Sequence, residues 1–107
     1  MMLIFHLKKV WFDKIKAGEK THEYREVKPY WHSRLTVLSL KLIEKNNGFI
    51  VDDEELMCEF VCGYAPAYDK DKRIRAIVKN LLQVWGTYTD LKIDKPVYDI
   101  EFEVISE

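Results

Sequence analysis

The chain has 107 residues, of which 48% are apolar and 33% are charged. This composition is typical of a soluble globular protein and excludes a disordered or fibrous chain, and the length favours a single domain over residues 1–107. The formal net charge of −1 excludes a global basic field that would draw the protein to nucleic acid. Any nucleic-acid site must therefore depend on a local patch of charge.

The N-terminal run and the cysteines bear on compartment and cofactors. The apolar run Met1–His6 is far shorter than the about 20 residues of a membrane span and soon meets Lys8, so it predicts neither a span nor a signal peptide. Cys58 and Cys62 fit buried thiols in a reducing compartment, and the histidines show no metal-ligand spacing with them. We therefore expect a cytoplasmic protein with no membrane partner, no metal and no cofactor.

The first third of the chain predicts a strand, a short helix and an extended segment. Leu3–Leu7 has the pattern of a short strand. Trp11–Ala17 carries apolar residues at helical spacing, and Gly18 is a natural helix end because glycine accepts the left-handed conformation. Lys20–Arg25 is predicted to be extended, and Pro29 ends it because proline cannot donate an N–H to a strand ladder.

The remaining pattern is dominated by strands. Tyr30–Leu35 is predicted to form one helical turn. Alternating apolar residues then predict three half-buried strands, at Thr36–Ile43, Leu56–Tyr64 and Val97–Ile105. Several sequential strands, with one or two short helices near the N-terminus, indicate an α+β domain whose sheet curls into a small barrel.

One segment fits two structures. Its apolar residues have the spacing of an amphipathic helix, with Asp71 as a cap and Gly86 as the end; they are Ile74, Ile77, Val78, Leu81, Leu82 and Trp85. The same stretch also alternates as a strand through Ile74, Ala76 and Val78. The local pattern alone favours the helix.

The segment from Gly18 to Arg25 carries a family resemblance. Gly18, Lys20, Glu23 and Arg25 fill the pattern G-x-K-x-x-E-x-R, which resembles the signature of the ASCH family within the PUA-like superfamily, and of its small stand-alone members in bacteria and phages. The flanks agree: an aromatic-containing helix precedes the motif and a Tyr-Trp segment follows it. The resemblance implies a β-pseudobarrel with the motif lining a cleft, and it favours a strand over a helix for Arg73–Leu82.

The motif residues have defined chemical capacities. Lys20 offers a point charge, Arg25 offers a planar fork suited to phosphate or a base edge, and Glu23 can pair with either or carry a proton. In a regular strand, Glu23 and Arg25 share one face and Lys20 lies on the other. The three side chains converge only if Gly18–Thr21 is not a regular strand. The competing interpretation is a simple surface ion pair.

The residues that follow the motif interleave aromatic and basic side chains. Tyr30, Trp31 and Arg34 could extend a ligand-binding site, because aromatic rings stack unpaired bases and basic groups hold phosphates. The competing interpretation is that Tyr30 and Trp31 cover the end of the barrel.

Three functions are compatible with these residues. The resemblance implies binding of single-stranded RNA or a modified nucleotide through Lys20, Glu23 and Arg25. Some relatives are amidohydrolases of N4-acetylcytidine and others are implicated in RNA cleavage, so an enzyme would use Lys20 and Glu23 as catalytic groups. However, Glu23 stands where the amidohydrolases have threonine, and Glu59 is only one candidate for their distant glutamate. A protein-interaction domain is the third alternative.

Overall fold

The computed structural model describes residues 2–105. In this part of the chain, strands and helices follow one another as β1 (Leu3–Leu7), α1 (Lys9–Lys16), β2 (His22–Glu26), α2 (Pro29–Asn46), β3 (Met57–Cys62), β4 (Arg73–Trp85) and β5 (Pro96–Val104). Short 3₁₀ turns precede β3 and β4 and follow β4. The α+β class is therefore confirmed.

The strands form one curled, half-barrel sheet in the order β1-β3-β4-β5-β2. The pair β1–β3 is parallel and the other neighbours are antiparallel. The sheet ends at β1 on one side and at β2 on the other, and the curl brings these two edges near each other. The Arg25 side chain on β2 donates a hydrogen bond to the His6 carbonyl of β1 across the gap, with an N–O distance of 3.3 Å. The candidate functional site lies at this seam.

The core lies between the sheet and the two helices. Phe5 of β1 stacks on Phe60 of β3 with ring centroids 5.5 Å apart, and Phe60 packs on Phe102 of β5 at 4.5 Å. Leu35 of α2 and Ile15 of α1 are fully buried in the same apolar cluster. Burial of this kind contributes about 1.5–3 kcal/mol for each large side chain and fixes the strands that carry the site.

Two expectations near the N-terminus are wrong. Thr36–Ile43 is not a strand, and the single turn predicted at Tyr30–Leu35 is the beginning of α2, which runs for 18 residues and is not short. Pro29 begins this helix, where its missing N–H has no intrahelical partner to lose. Helical packing buries Leu35 and Leu38 and leaves Leu40 56% exposed, whereas the strand prediction placed Leu38 and Leu40 on one buried face.

The ambiguous segment is a strand, so the helical interpretation of its spacing is wrong. β4 pairs with β3 along one edge and with β5 along the other. The register skips one residue between Val78 and Asn80. Across this bulge the inward-facing positions change in spacing, so that the buried Ala76 and Val78 are followed by the partly buried Leu81. A strand with a bulge thereby mimics the three- and four-residue spacing of a helix.

The other predicted elements are confirmed: β1, α1, the extended segment that contains β2, β3 and β5. Gly18 ends α1 with a φ of +78°, as its position after the helix predicted. Within residues 2–105, no helix is long and apolar enough to cross a membrane.

Candidate functional site

A cleft of about 450 Å³ occupies the seam between β1 and β2. Its walls come from the end of β1, the start of α1, Lys20 and most of β2, the start of α2 and the loop that follows β4. Lys20, Glu23 and Arg25 all line it. The structure therefore brings together the three side chains that the sequence pattern singled out.

Lys20 reaches the cleft because the chain after Gly18 turns before β2 begins. The strand starts only at His22, so Lys20 does not follow the alternation that would send it to the opposite face. Its Nζ lies 3.7 Å from Glu23 Oε1 and forms a shorter ion pair with Asp90 Oδ2. The Lys20 side chain is only 8% exposed. The geometric condition for convergence is met.

Two aromatic rings complete the surroundings of the Lys20 ammonium. Nζ lies 5.3 Å from the Trp11 ring centroid and 5.1 Å from that of Tyr24. At these distances the negative face of each ring attracts the cation. Lys20 is thus held by two carboxylates and two rings. Burial, followed by the charges of Asp99, Asp90 and Glu23, raises the pKa of the Tyr24 hydroxyl.

Glu23 is the central acceptor of the cleft. Its side chain is as buried as that of Lys20. Oε2 accepts a 2.6 Å hydrogen bond from Arg25 Nη2, and Oε1 accepts one from the Tyr24 backbone N–H at 3.1 Å. A buried carboxylate needs such partners, and their removal leaves an uncompensated charge. Glu23 is therefore a positioning group for both cations and not a loose surface charge.

Arg25 lines the cleft and carries a buried donor without a partner among residues 2–105. Its guanidinium lies beside the stacked rings of Phe5 and Trp31, at 5.2 Å from each centroid. The Nη2 group serves Glu23 and the His6 carbonyl, but the buried Nε has no hydrogen-bond partner among residues 2–105. Buried donors are normally satisfied by protein, water or a bound group. The Arg25 side chain is 22% exposed and lines the cleft, so a ligand there can contact the guanidinium but not its fully buried Nε.

The predicted extension of the site is present as a stack that leads out of the cleft. Trp31 lines the cleft, Tyr30 stacks on it at 4.8 Å, and the Arg34 guanidinium lies 3.6 Å from the Tyr30 centroid. Tyr30 and Arg34 are not part of the cleft wall, and Arg34 lines a neighbouring groove. Tyr30 is half exposed. Trp31 therefore serves the cleft directly, and Tyr30 and Arg34 form its outer continuation.

The structure adds groups that the sequence pattern missed. Asp90 lies 70 positions from Lys20 in a loop with no motif, and Trp11 was interpreted only as an apolar helix residue. Glu59, the candidate distant glutamate, lines a different cavity, where it pairs with Arg73 and Arg75. The carboxylates beside Lys20 are Glu23 and Asp90 instead.

The charge of the cleft is close to balanced. Four cations line it, Lys8, Lys20, Arg25 and Lys28, against the three carboxylates Glu23, Glu26 and Asp90, which gives a net charge of +1. Aromatic walls and a nearly balanced charge suit a small, flat, polar ligand better than a long polyanion. Among residues 2–105, no cluster of three or more His, Cys, Asp or Glu side chains could hold a metal ion.

Comparison of the chain with protein-family models, with curated proteins and with solved structures found no match. The fold and the site geometry must therefore carry the functional argument.

Proposed function

We propose that the chain is an ASCH-type, PUA-like domain that binds a nucleotide or an unpaired base of single-stranded RNA in the cleft at the β1–β2 seam. The observation that carries this proposal is the convergence of Lys20, Glu23 and Arg25 on one cleft beside the Trp31 ring. A resemblance in sequence requires only that these residues be close along the chain. Their meeting in a concave site requires the turn after Gly18.

The arrangement assigns a role to each group. Trp11, Tyr24 and Trp31 give the cleft an aromatic wall against which a base can pack. Trp31 meets the base with its edge, because its faces are stacked on Phe5 at 5.0 Å and on Tyr30 at 4.8 Å. The partly exposed Arg25 guanidinium donates to a base or phosphate oxygen. Glu23 keeps the Arg25 fork in place, and Lys20 supplies positive charge beneath the ligand.

Tryptophan fluorescence tests the proposal directly. Trp11 and Trp31 line the cleft and Trp85 does not, so a Trp85→Phe background confines the signal to the cleft. We expect saturable quenching with short single-stranded RNA or with a nucleoside monophosphate. In that background Arg25→Ala lowers the affinity about tenfold or more, since it removes a charge-assisted hydrogen bond.

Lys79→Ala is the matched control. Lys79 is an exposed β4 residue that lies outside the cleft, so its loss leaves the affinity within about twofold of the parent. If no RNA or nucleotide quenches the fluorescence at low salt, the binding proposal fails, and a protein-interaction domain becomes the better interpretation.

A hydrolase acting on a modified nucleoside such as N4-acetylcytidine is the second candidate. It is favoured by one observation: Lys20 is almost fully buried between the Glu23 and Asp90 carboxylates, a setting that could support proton transfer. Two observations weigh against the amidohydrolase chemistry of the enzymes that the chain resembles. Glu23 stands where those enzymes have threonine, and Glu59 lines another cavity.

Chromatography after incubation with N4-acetylcytidine separates the two candidates. An enzyme releases cytidine and acetate, and Lys20→Ala abolishes that release while Lys79→Ala preserves it. An RNA-cleaving enzyme shortens a labelled oligonucleotide instead. Binding without turnover in either assay supports the binding domain.

A further inference from the structure

A second cavity, of about 540 Å³, is bordered by the end of α1, the 3₁₀ turn before β4, the first half of β4 and the end of β5. It shares no lining residue with the cleft at the seam. None of the functions considered above makes use of it.

A buried carboxylate organises the floor of this cavity. The Glu59 side chain is 91% buried and forms ion pairs with both Arg73 and Arg75. Arg73 is fully engaged, because its other donors serve the Ala65 and Pro66 carbonyls. Glu59 and Arg73 thus compensate one another and pin the loop before β4 to the sheet.

Arg75, in contrast, has hydrogen-bond donors that no protein group among residues 2–105 uses. Only its Nε contacts Glu59, at 3.4 Å, and its side chain is 60% exposed. Within residues 2–105, its two Nη groups have no hydrogen-bond partner. Glu59 therefore holds the Nε side of the Arg75 guanidinium, and the two Nη groups remain available to a ligand in the cavity.

The charge balance favours an anion here more than at the cleft. Four cations line the cavity, Lys16, Lys70, Arg73 and Arg75, against Glu59 and Asp71, so the net charge is +2. The cleft carries +1 and the whole chain −1. The second cavity is thus locally basic on a protein that is slightly acidic overall.

We infer that this cavity binds the phosphate group of a phosphomonoester through Arg75, Lys70 and Lys16. The three cations come from β4, the 3₁₀ turn and α1, and so border the cavity from different elements. A tetrahedral phosphate offers three oxygens to such a set, whereas a carboxylate offers two in one plane. Asp71 at the rim disfavours a closely spaced polyanion and suits a single phosphate group.

Titration of the full chain with phenyl phosphate, followed by ¹H–¹⁵N correlation spectra at pH 7.5, tests the inference. We expect saturable shifts of the amides near Lys16, Lys70 and Arg75 and of the Arg75 Nε–H, separate from any shifts at the cleft, with which this cavity shares no lining residue. Arg75→Gln raises the dissociation constant about tenfold, since it removes a charge-assisted pair. The spectrum itself reports that the variant is folded.

Lys79→Gln is the control, because Lys79 lies on the same strand but outside the cavity. The inference is overturned if Lys79→Gln weakens binding as much as Arg75→Gln, or if sodium chloride at equal ionic strength reproduces the shifts.

Two further ligands test the chemical class. Acetate that binds as tightly as phenyl phosphate would overturn the preference for a tetrahedral group, and binding of inorganic phosphate alone would overturn the phosphomonoester. Cleft variants such as Arg25→Ala leave these shifts unchanged, so failure here and failure of the proposed function are separable.

Discussion

At the residue scale, Asp90 is the group that most limits the charge available to a ligand in the cleft. It pairs with Lys20, and Glu23 lies on the other side of the same ammonium. We predict that Asp90→Asn raises the affinity for a nucleoside monophosphate about fivefold, because Lys20 then faces one carboxylate fewer. The measurement is the fluorescence titration in the Trp85→Phe background.

Glu103→Gln removes the same charge from an exposed position on β5 and so controls for net charge alone. A gain of equal size in Glu103→Gln, or a loss of affinity in Asp90→Asn, would show that Asp90 does not restrain Lys20.

The Cys58 thiol provides a pH signature of the packed core. Burial, with a smaller contribution from the Glu23 charge, raises the pKa of this thiol from 9.0 to about 12. Above pH 9 the unfolded chain loses this proton and the folded chain keeps it, so stability falls as pH rises from 9 towards 12. The contribution is fully retained below pH 9.

We predict that the native protein loses about 1.4 kcal/mol between pH 8 and pH 10 relative to Cys58→Ala, which lacks the titrating group. Urea unfolding of both proteins at the two pH values measures the difference, and the other alkaline titrations cancel between them. If the free energy of unfolding changes equally in the two proteins, the Cys58 thiol is solvated and the prediction is wrong.

At the element scale, α2 can be distinguished from the predicted strand by two neighbouring leucines. The helix buries Leu38 and exposes Leu40, whereas a strand would bury both. We predict that Leu38→Ala destabilises the protein by about 2–5 kcal/mol and that Leu40→Ala costs about 0.5 kcal/mol or less. Denaturant unfolding gives both values. Comparable costs for the two substitutions would contradict the helix.

The errors in the predicted elements have identifiable causes. Leu38, Leu40 and Leu42 alternate by chance inside a helix whose buried face is set by contact with the sheet, and no local signal separates the two periods. In β4 the bulge hides the alternation, and pairing on both edges decides the structure. Isolated signals such as Gly18 and Pro29 were reliable because they act within one turn of the chain.

The loop from β4 to β5 depends on one glycine for its course. A Cβ at Gly86 would lie 2.6 Å from the Ile93 carbonyl oxygen and 2.8 Å from that of Lys95. We predict that Gly86→Ala costs about 1–3 kcal/mol, because backbone must move to relieve the contact. Since the same loop carries Asp90, the variant also alters affinity in the cleft. Thr87→Ala, at an exposed neighbouring position, leaves both quantities unchanged.

At the scale of the whole molecule, the candidate site is created by the curl of the sheet, which brings the β1 and β2 edges together. The motif supplied Lys20, Glu23 and Arg25, and the turn after Gly18 was a condition that sequence reasoning could state but not verify. The His6 carbonyl and Asp90 lie 19 and 70 positions from their partners, and they reach the cleft only because the curl brings distant segments together. Such contacts leave no trace in local spacing.

The small charge of the cleft limits how many phosphates the protein can hold there. This limit gives a prediction for the salt dependence of binding. The cleft has a net charge of +1, and its buried cations Lys20 and Arg25 are already paired with carboxylates. Each phosphate contact on a single strand contributes about −0.7 to the slope of log K against log salt, so one or two contacts give a slope of about −0.7 to −1.4.

We predict that the affinity for single-stranded RNA follows this shallow slope between about 50 and 200 mM salt, a range over which the salt dependence of binding is commonly measured. Fluorescence titration at several salt concentrations measures it. A slope steeper than about −3 would place the RNA on an extended basic surface and not in the cleft, because one or two phosphate contacts cannot produce it.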